Sequence, residues 1–559
     1  MTQVKTIRTS YPTYLYFIQP KVKKRCHSRL MAVEATVGNT KQTLSLDSFS
    51  TEILTIIFRE LRDVDPWALA NARLVSRGFD TIITPIQFET ICLNERIIDP
   101  LSEIYFPYFF RNMFLFTRHI RTRSNLDPEN SRRLLDRVQK LFSLRWRCIE
   151  NQYLRSPEPY ISTPSDILST YHLEINRTRI HVEKLPLDDL YSEIFIRGIP
   201  ASNMASLDII DTHLASAIDQ LRRLLLRSPL VDNLNYNGLG QGVYFKFNEG
   251  ERLPPFEGIL LRSYDWVHTA EDVRKHWDFS RLRRLTLIDV PLYRFLTSVS
   301  PEQLERIREI HCADFSTHTS MEDADWGTVY TDRREDATRL LHSLIGGIRA
   351  LDKINITCYT ELFPIDAILR HANSLKHLGF RDYLGFEDET KRYPTLSIGD
   401  LTELSTKLVH LEFLEIGMDP LEVDPRKFLH TLCNFPRLKD LTLHTQTVWL
   451  PDFVMPNYEV HVDRDGCATM DTLRFLVRGK QNKQESTWRT VVINIGGWKP
   501  ISLRIFPPRP HRNRFGACPQ RCFEMKRDDS IDDYVVEDVC LRAYPSEDRF
   551  SRLSEVEEG

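Results

Sequence analysis

Three residue groupings have spacings that invite chemistry. Gly238-Leu-Gly240-Gln-Gly242 is a glycine cluster of the kind whose backbone amides can close around phosphate. It lacks the third glycine spacing of a dinucleotide fingerprint and the Lys-Ser/Thr of a P-loop, so a turn is its expected role. His181-Val-Glu183 has the His-x-Glu order in which a histidine ligates zinc and a glutamate shuttles protons, but no Pro-Cys-x-x-Cys follows. Cys518-Pro-Gln-Arg-Cys522, with His511 nearby, offers two thiolates and an imidazole, whereas a structural zinc site needs four ligands in tighter pairs. No Gly-x-Ser-x-Gly or His-Glu-x-x-His string occurs. The expectation is a protein that is not an enzyme and uses no cofactor and no metal. The places left for an active site are 94–229 and 450–500, where its sign would be clustered titratable groups with perturbed pKa in a cleft.

Since chemistry is scarce, the elements carry the reading. The chain has 559 residues, more than one core normally supports. It is 42% hydrophobic and 27% charged, the composition of an ordinary globular protein. Lys+Arg at 74 against Asp+Glu at 77 gives a formal charge of −3, which argues against a dedicated nucleic-acid binder. The 10 cysteines form no dense framework and no Cys-x-x-Cys pair, so reduced thiols and a cytoplasmic or nuclear location are expected. The greasiest stretch, Ile104 to Ile120, is interrupted by Pro107 and Arg111 and is no membrane span. Residues 1–43 are read as a disordered leader: Pro12 and Pro20 break the long amphipathic helix a transit peptide would need, and Met31 is an alternative start.

Between about 230 and 446 a short pattern recurs: apolar-x-x-apolar-x-apolar. Its middle residues are Leu234, Ile259, Leu285, Ile310, Ile354, Leu378, Leu414 and Leu441, spaced by 25, 26, 25, 44, 24, 36 and 27 residues. Five of the seven steps fall in the range of leucine-rich repeats, and the two long ones imply insertions. Each copy is read as a short parallel strand with its apolar pair turned into a shared core, followed by a returning helix such as Ala337 to Ile348 or Arg426 to Cys433. The position where such repeats carry Asn or Cys holds Leu239, Tyr264, Val290, Phe315, Tyr359, Tyr383, Asp419 and Gln446, so packing must replace the polar turn ladder.

The outward strand positions include Asn235, Thr286, His311, Asn355, Gly379, Glu415 and Thr442, flanked by Arg262, Arg381 and His444. From these, Arg262, Thr286, His311, Asn355, Arg381, Glu415 and His444 form the candidate substrate-binding set. The repeat-like domain is expected over 230–500, with Val491–Ile495 as one more strand, and a disordered tail over 501–559. Residues 94–229 read as a mostly helical linker region, with helical apolar spacing over Ser131–Arg147 and Leu207–Arg227.

Residues 44–93 form a compact helical segment. The first helix, from about Ser50 to Leu61, has Ile53, Leu54, Ile57, Phe58 and Leu61 on one broad face, with Ser50 as its cap. Asp65-Pro66 starts a second helix lined by Leu69, Ala70 and Ala72. A third holds Leu74, Val75, Phe79, Ile82 and Ile83 and stops before Pro85. So small a unit cannot hide all this apolar surface internally, and the excess marks a partner interface.

The order of these motifs resembles an F-box of the form common in fungal proteins. Phe49-Ser50-Thr51-Glu52-Ile53-Leu54 stands where that family has Leu-Pro-x-Glu-Ile-Leu, followed by Ile57-Phe58-Arg59-Glu60-Leu61 and Leu74-Val75-Ser76-Arg77-Gly78-Phe79. The resemblance covers about 50 of the 559 residues. It implies docking on a Skp adaptor, and through it on a cullin–RING ubiquitin ligase, while the downstream domain holds an unknown protein substrate; nucleic acid and membrane are not expected partners. The alternative is an F-box binding or scaffold protein acting outside ubiquitin transfer. Phe49, Ile53, Leu54, Ile57, Phe58, Leu61, Leu69, Val75 and Phe79 then include both adaptor-contacting and core positions, undivided at this level. The overall expectation is α/β: a three-helix F-box followed by an irregular leucine-rich-repeat-like solenoid.

Overall fold

The computed structural model describes residues 46, 49–149, 162–187, 192–212, 215–238, 243–313, 333–383, 394–445, 464–481, 487–495, 499–500, 517–518, 521–528 and 533–538. The chain divides into two compact units at the Gln87–Phe88 junction.

In the first unit three helices follow one another: α1 (Thr51–Val64), α2 (Pro66–Ala72) and α3 (Arg77–Phe88). Asp65 caps α2 as its sequence implies, accepting from the amides of Trp67 and Ala68 at 2.9 and 3.1 Å, with Pro66 in the first turn, where its missing N–H costs nothing. Ser50 stands at the N-cap of α1, but its hydroxyl bonds the Glu52 carboxylate instead of a helix amide. The third helix begins later and ends later than expected. Leu74 and Val75 lie in the turn before it, and it runs through Pro85 to Phe88. Proline is tolerated there because it falls in the last turn, where one lost backbone bond ends little.

The second unit is α/β. Its sheet takes its strands in strict chain order. They are β1 (Thr90–Cys92), β2 (His119–Arg123), β3 (Ser143–Arg147), β4 (Arg179–Pro186), β5 (Met204–Thr212), β6 (Asn233–Gly238) and β7 (Gly258–Arg262). The series continues with β8 (Arg284–Ile288), β9 (Glu309–Ala313), β10 (Lys353–Cys358), β11 (His377–Asp382), β12 (Phe413–Gly417), β13 (Asp440–Thr445) and β14 (Thr490–Ile495). A two-residue pair, β15 (Lys499–Pro500) with β16 (Ala517–Cys518), stands apart. Then β17 (Arg521–Asp528) and β18 (Asp533–Asp538) join the far edge antiparallel, while every pairing from β1 to β14 is parallel.

A parallel neighbour can be reached only by a connection that returns to the starting end of the sheet. Helices such as Ala215–Leu226, Arg334–Gly347, Ile398–Lys407 and Pro425–Leu432 make these returns, each burying an apolar stripe: Ile218, Leu221 and Leu225 in the first, Leu341, Leu344 and Ile345 in the second, Leu401 and Leu404 in the third, Phe428, Leu429 and Leu432 in the fourth. All eight apolar repeats of the sequence are strands. Their middle residues lie in one register row: Leu234, Ile259, Leu285, Ile310, Ile354, Leu378, Leu414 and Leu441 are each paired with the next. The aromatic turn positions pack as expected. Tyr264 meets Tyr236 with centroids 5.7 Å apart, and Tyr359 meets Tyr383 at 5.2 Å. Leu239, Phe315 and Gln446 lie outside the described residues.

Three expectations on organisation are corrected. Residues 94–229 are no helical linker, since the sheet starts at Thr90 and four further strands fall in this stretch. Ser131–Arg147 is a helix at Pro128–Leu135 followed by β3, and Leu207–Arg227 is the end of β5 followed by a helix. In both places the sequence satisfies the period of 3.6 and the alternation of a strand at once; Leu144 and Trp146 are buried and Arg145 and Arg147 exposed, so alternation wins where a neighbouring strand is present to pair. The span 501–559 contains β17 and β18, where Phe523 and Met525 point into the core. The expected leader, residues 1–43, lies outside the described residues.

Candidate interaction surfaces

In the first unit the sequence could not separate core from surface positions; packing does. Leu54, Phe58, Leu69 and Phe79, with Ile83 and Ile86, form the core, and Leu61 is half-buried against it. The Phe58 and Phe79 rings meet edge to face at 5.1 Å. Phe49, Ile53, Ile57 and Val75 are exposed, the last two at 37% and 66%. They are joined by Ile56, Trp67 and Leu74, the latter 85% exposed. Ile56 and Trp67 escape the motif reading because they sit on the far side of their helices' core stripes. A polar strut holds the turn that displays Leu74 and Val75: Arg73 donates to Asp80 at 2.8 Å and to Gln87 at 2.7 Å, and Thr84 donates to Asp80 at 3.0 Å. The Arg73 bond holds the Asp80 carboxyl below its ordinary range. The unit therefore hides one set of apolar side chains in its core and leaves another exposed.

In the second unit the predicted outward positions do share one sheet face. Thr286, His311, Asn355, Gly379, Glu415 and Thr442 form one unbroken register row. Arg262 opens the next row, which passes through Ile288, Ala313 and Thr357 to Arg381; on β13, His444 pairs with Gly417 and Asn494. Arg262, Thr286 and His311 are half-buried.

From β10 onward the expectation of an open face fails. Asn355, Arg381, Glu415 and His444 are all buried, Arg381 at 1% exposure. Here the structure brings three predicted residues into direct contact. Glu415 Oε1 accepts from His444 Nε2 at 3.0 Å and lies 3.4 Å from Arg381 Nη1. Burial pulls the His444 pKa down, and Glu415 opposes this only in part. A neutral imidazole with its proton on Nε2 fits, since Nδ1 then accepts from Asn494 Nδ2 at 3.4 Å. Beside this group Asn355 lies across Gly379, where a Cβ would come within 2.8 Å of the asparagine side chain. The Asn355 carbonyl oxygen and the Thr357 hydroxyl are buried without a hydrogen-bond partner. In this buried network the acid and the bases satisfy one another within the sheet.

The open part of the face lies earlier. Along β2 and β3 burial alternates strictly, with Arg121, Arg123, Arg145 and Arg147 exposed. His181 and Glu183, set aside above as a partial motif, stand on β4 beside them. Of the other groupings, Gly238 ends β6 while Gly240, Gly242 and His511 lie outside the described residues. Among the described residues no group of three or more His, Cys, Asp or Glu side chains is placed to hold a metal ion. Nor, among them, is any helix long and apolar enough to cross a membrane.

These features define an α/β protein in which a parallel sheet built strand by strand in chain order follows a three-helix unit. No family model matches the chain, and no curated protein sequence matches it.

Proposed function

We propose that this protein is a non-catalytic substrate-recognition subunit of a cullin–RING ubiquitin ligase, acting in the cytoplasm or nucleus. In this reading residues 44–93 are an F-box that docks on a Skp adaptor, and the sheet domain is a degenerate leucine-rich-repeat array that holds a protein substrate. The observation that carries it is the exposed apolar set Phe49, Ile53, Ile56, Ile57, Trp67, Leu74 and Val75 on a unit whose core is already filled by Leu54, Phe58, Leu69 and Phe79. That division falls within the ordered motifs resembling an F-box, so resemblance and packing point the same way. The eight register-aligned repeats support the second half of the reading.

The test is co-purification with a Skp adaptor and a cullin, comparing wild type with Ile53→Asp plus Ile57→Asp. Both residues are exposed, so charge there leaves the fold intact while placing two carboxylates in an apolar contact. Adaptor recovery is expected to fall to background. Unchanged recovery would remove the adaptor reading. Recovery of the adaptor without any cullin favours the alternative, an F-box scaffold acting outside ubiquitin transfer.

A further inference from the structure

A block of like charge lies on three strands within the stretch expected to be a linker. In β2, β3 and β4 the residues Ile120 and Thr122, Leu144 and Trp146, and Ile180 and Val182 are buried. The alternate positions therefore share the opposite face. Pairing sets them in rows: His119, Ser143 and Arg179 in the first, Arg121, Arg145 and His181 in the second, Arg123, Arg147 and Glu183 in the third. Four arginines thus occupy adjacent corners of a two-by-two block. Neighbours across strands are about 5 Å apart at Cβ, where like charges destabilise a sheet.

Counter-charge within the protein is sparse. Glu183 pairs with Arg145 at 2.9 Å, and Asp232 pairs with Arg179 at 2.5 Å. Arg121, Arg123 and Arg147 form no ion pair with an acid among the described residues, although the charge of Arg147 reaches Asp208 and favours its carboxylate. The positive field also reaches His181, whose pKa is lowered first by burial and then by Arg145 and Arg179. In a chain whose formal charge is −3, such a block is a local excess that a partner's charge would relieve.

We infer that this block is a docking site for an extended acidic peptide segment of a partner protein, with carboxylates at alternate positions. An extended chain places side chains i and i+2 about 6.7 Å apart on one side, which is the same spacing that separates Arg121 from Arg123 and Arg145 from Arg147. A Glu-x-Glu segment laid along β2 and β3 therefore meets the two rows of guanidiniums in step, each able to take a carboxylate in a two-pronged bond. The patch is too small for duplex nucleic acid, which needs phosphate contacts spread along many base pairs. It is bounded on the β4–β6 side by the acids Glu183, Asp208 and Asp232. The assignment rests on the recognition half of the proposed function and is independent of adaptor docking.

The experiment is fluorescence anisotropy on the full chain with a short labelled Glu-Ser repeat peptide, its Gln-Ser counterpart, and a labelled single-stranded oligonucleotide of matching charge. The Glu-Ser peptide alone is expected to bind well, and its affinity should fall as salt rises from about 0.05 M to about 0.5 M. Substituting Arg121→Gln, Arg123→Gln, Arg145→Gln and Arg147→Gln together should weaken it by about tenfold or more, because desolvated charge pairs at an interface carry that much. All four side chains are solvent-exposed and their mutual repulsion is removed, so the melting temperature should be no lower than wild type and the recovery of a Skp adaptor should match it; the pair Arg121→Gln and Arg147→Gln serves if the fourfold variant does not fold. Equal binding of the Gln-Ser peptide, unchanged affinity of a folded variant, or tighter binding of the oligonucleotide would overturn the assignment. Loss of adaptor recovery by wild type would instead strike the F-box reading and leave this one standing.

Discussion

His268 ties the stability of the sheet domain to pH. It sits between Trp266 and Trp277, with ring centroids 5.0 and 5.6 Å away. The amide of Phe245 donates to the Tyr264 hydroxyl at 2.8 Å, and that hydroxyl is 2.8 Å from His268 Nε2. With one lone pair of the phenol so occupied, its proton is free to be donated to His268 Nε2, which is bare in the neutral Nδ1–H tautomer. Burial lowers the His268 pKa from 6.5 to about 4, against the pull of Asp272. The folded state therefore favours the neutral ring, and its contribution is whole above the unfolded value and lost as pH falls through the window from 6.5 to about 4. At about 1.4 kcal/mol per unit, the shift corresponds to roughly 3 kcal/mol across the window. Urea unfolding followed by tryptophan fluorescence at pH values spanning the window tests this, with His268→Gln as the comparison, since its amide oxygen keeps an acceptor for Tyr264. Wild type should lose roughly 3 kcal/mol more than the variant between the ends of the window. Parallel pH profiles for the two proteins would refute the assignment of the neutral ring.

Two further substitutions test the packing. Phe58→Ala empties the centre of the first unit and should cost roughly 3–5 kcal/mol, unfolding it, whereas Val75→Ala at an exposed turn should stay within about 0.5 kcal/mol; circular dichroism of the isolated helical signal on heating separates the outcomes. Glu415→Leu leaves Arg381 buried beside an apolar residue and should cost roughly 3 kcal/mol of unfolding free energy, read by urea titration, while Arg381→Met added to it should recover much of the loss; a single variant as stable as wild type would show that the pair adds nothing.

How far the sequence carries depends on whether one residue pattern admits one period. The eight repeats from Val231 to Leu443 are legible because one apolar pattern recurs at similar intervals, in most copies with a polar or small residue between the apolar pair. The strands before them are not, because Leu207, Ile210, Leu214 and Ile218 suit a helix as well as they suit β5 and its successor. Better signals were present: Asp99-Pro100, Asp127-Pro128 and Asp424-Pro425 repeat the Asp65-Pro66 helix start, and each does begin a helix. Read in that way, Pro128 would have separated helix from strand before β3. In the first unit the motif located the apolar helices but did not separate buried from exposed positions, since Ile57 and Phe58 are equally apolar and only the packing partner decides which turns inward.

The same limit explains the sheet face. Outward positions are fixed by the period of two, and Asn355, Arg381, Glu415 and His444 do lie on the predicted side. Whether an outward position meets solvent is a tertiary matter that no single strand encodes. Polarity is a poor guide to it, because a buried Glu415 requires Arg381 and His444 beside it just as an exposed one would welcome them. Pairing distinguishes the two cases. Where acid and base alternate across strands, as at β11–β13, the charges satisfy one another and the face can close. Where one sign repeats across strands, as at Arg121, Arg145, Arg123 and Arg147, the sheet cannot satisfy itself, and the charge is left for something outside the domain. That difference in charge pairing is why the proposed docking site is placed on β2–β4 and not on the strands whose side chains look most like a site.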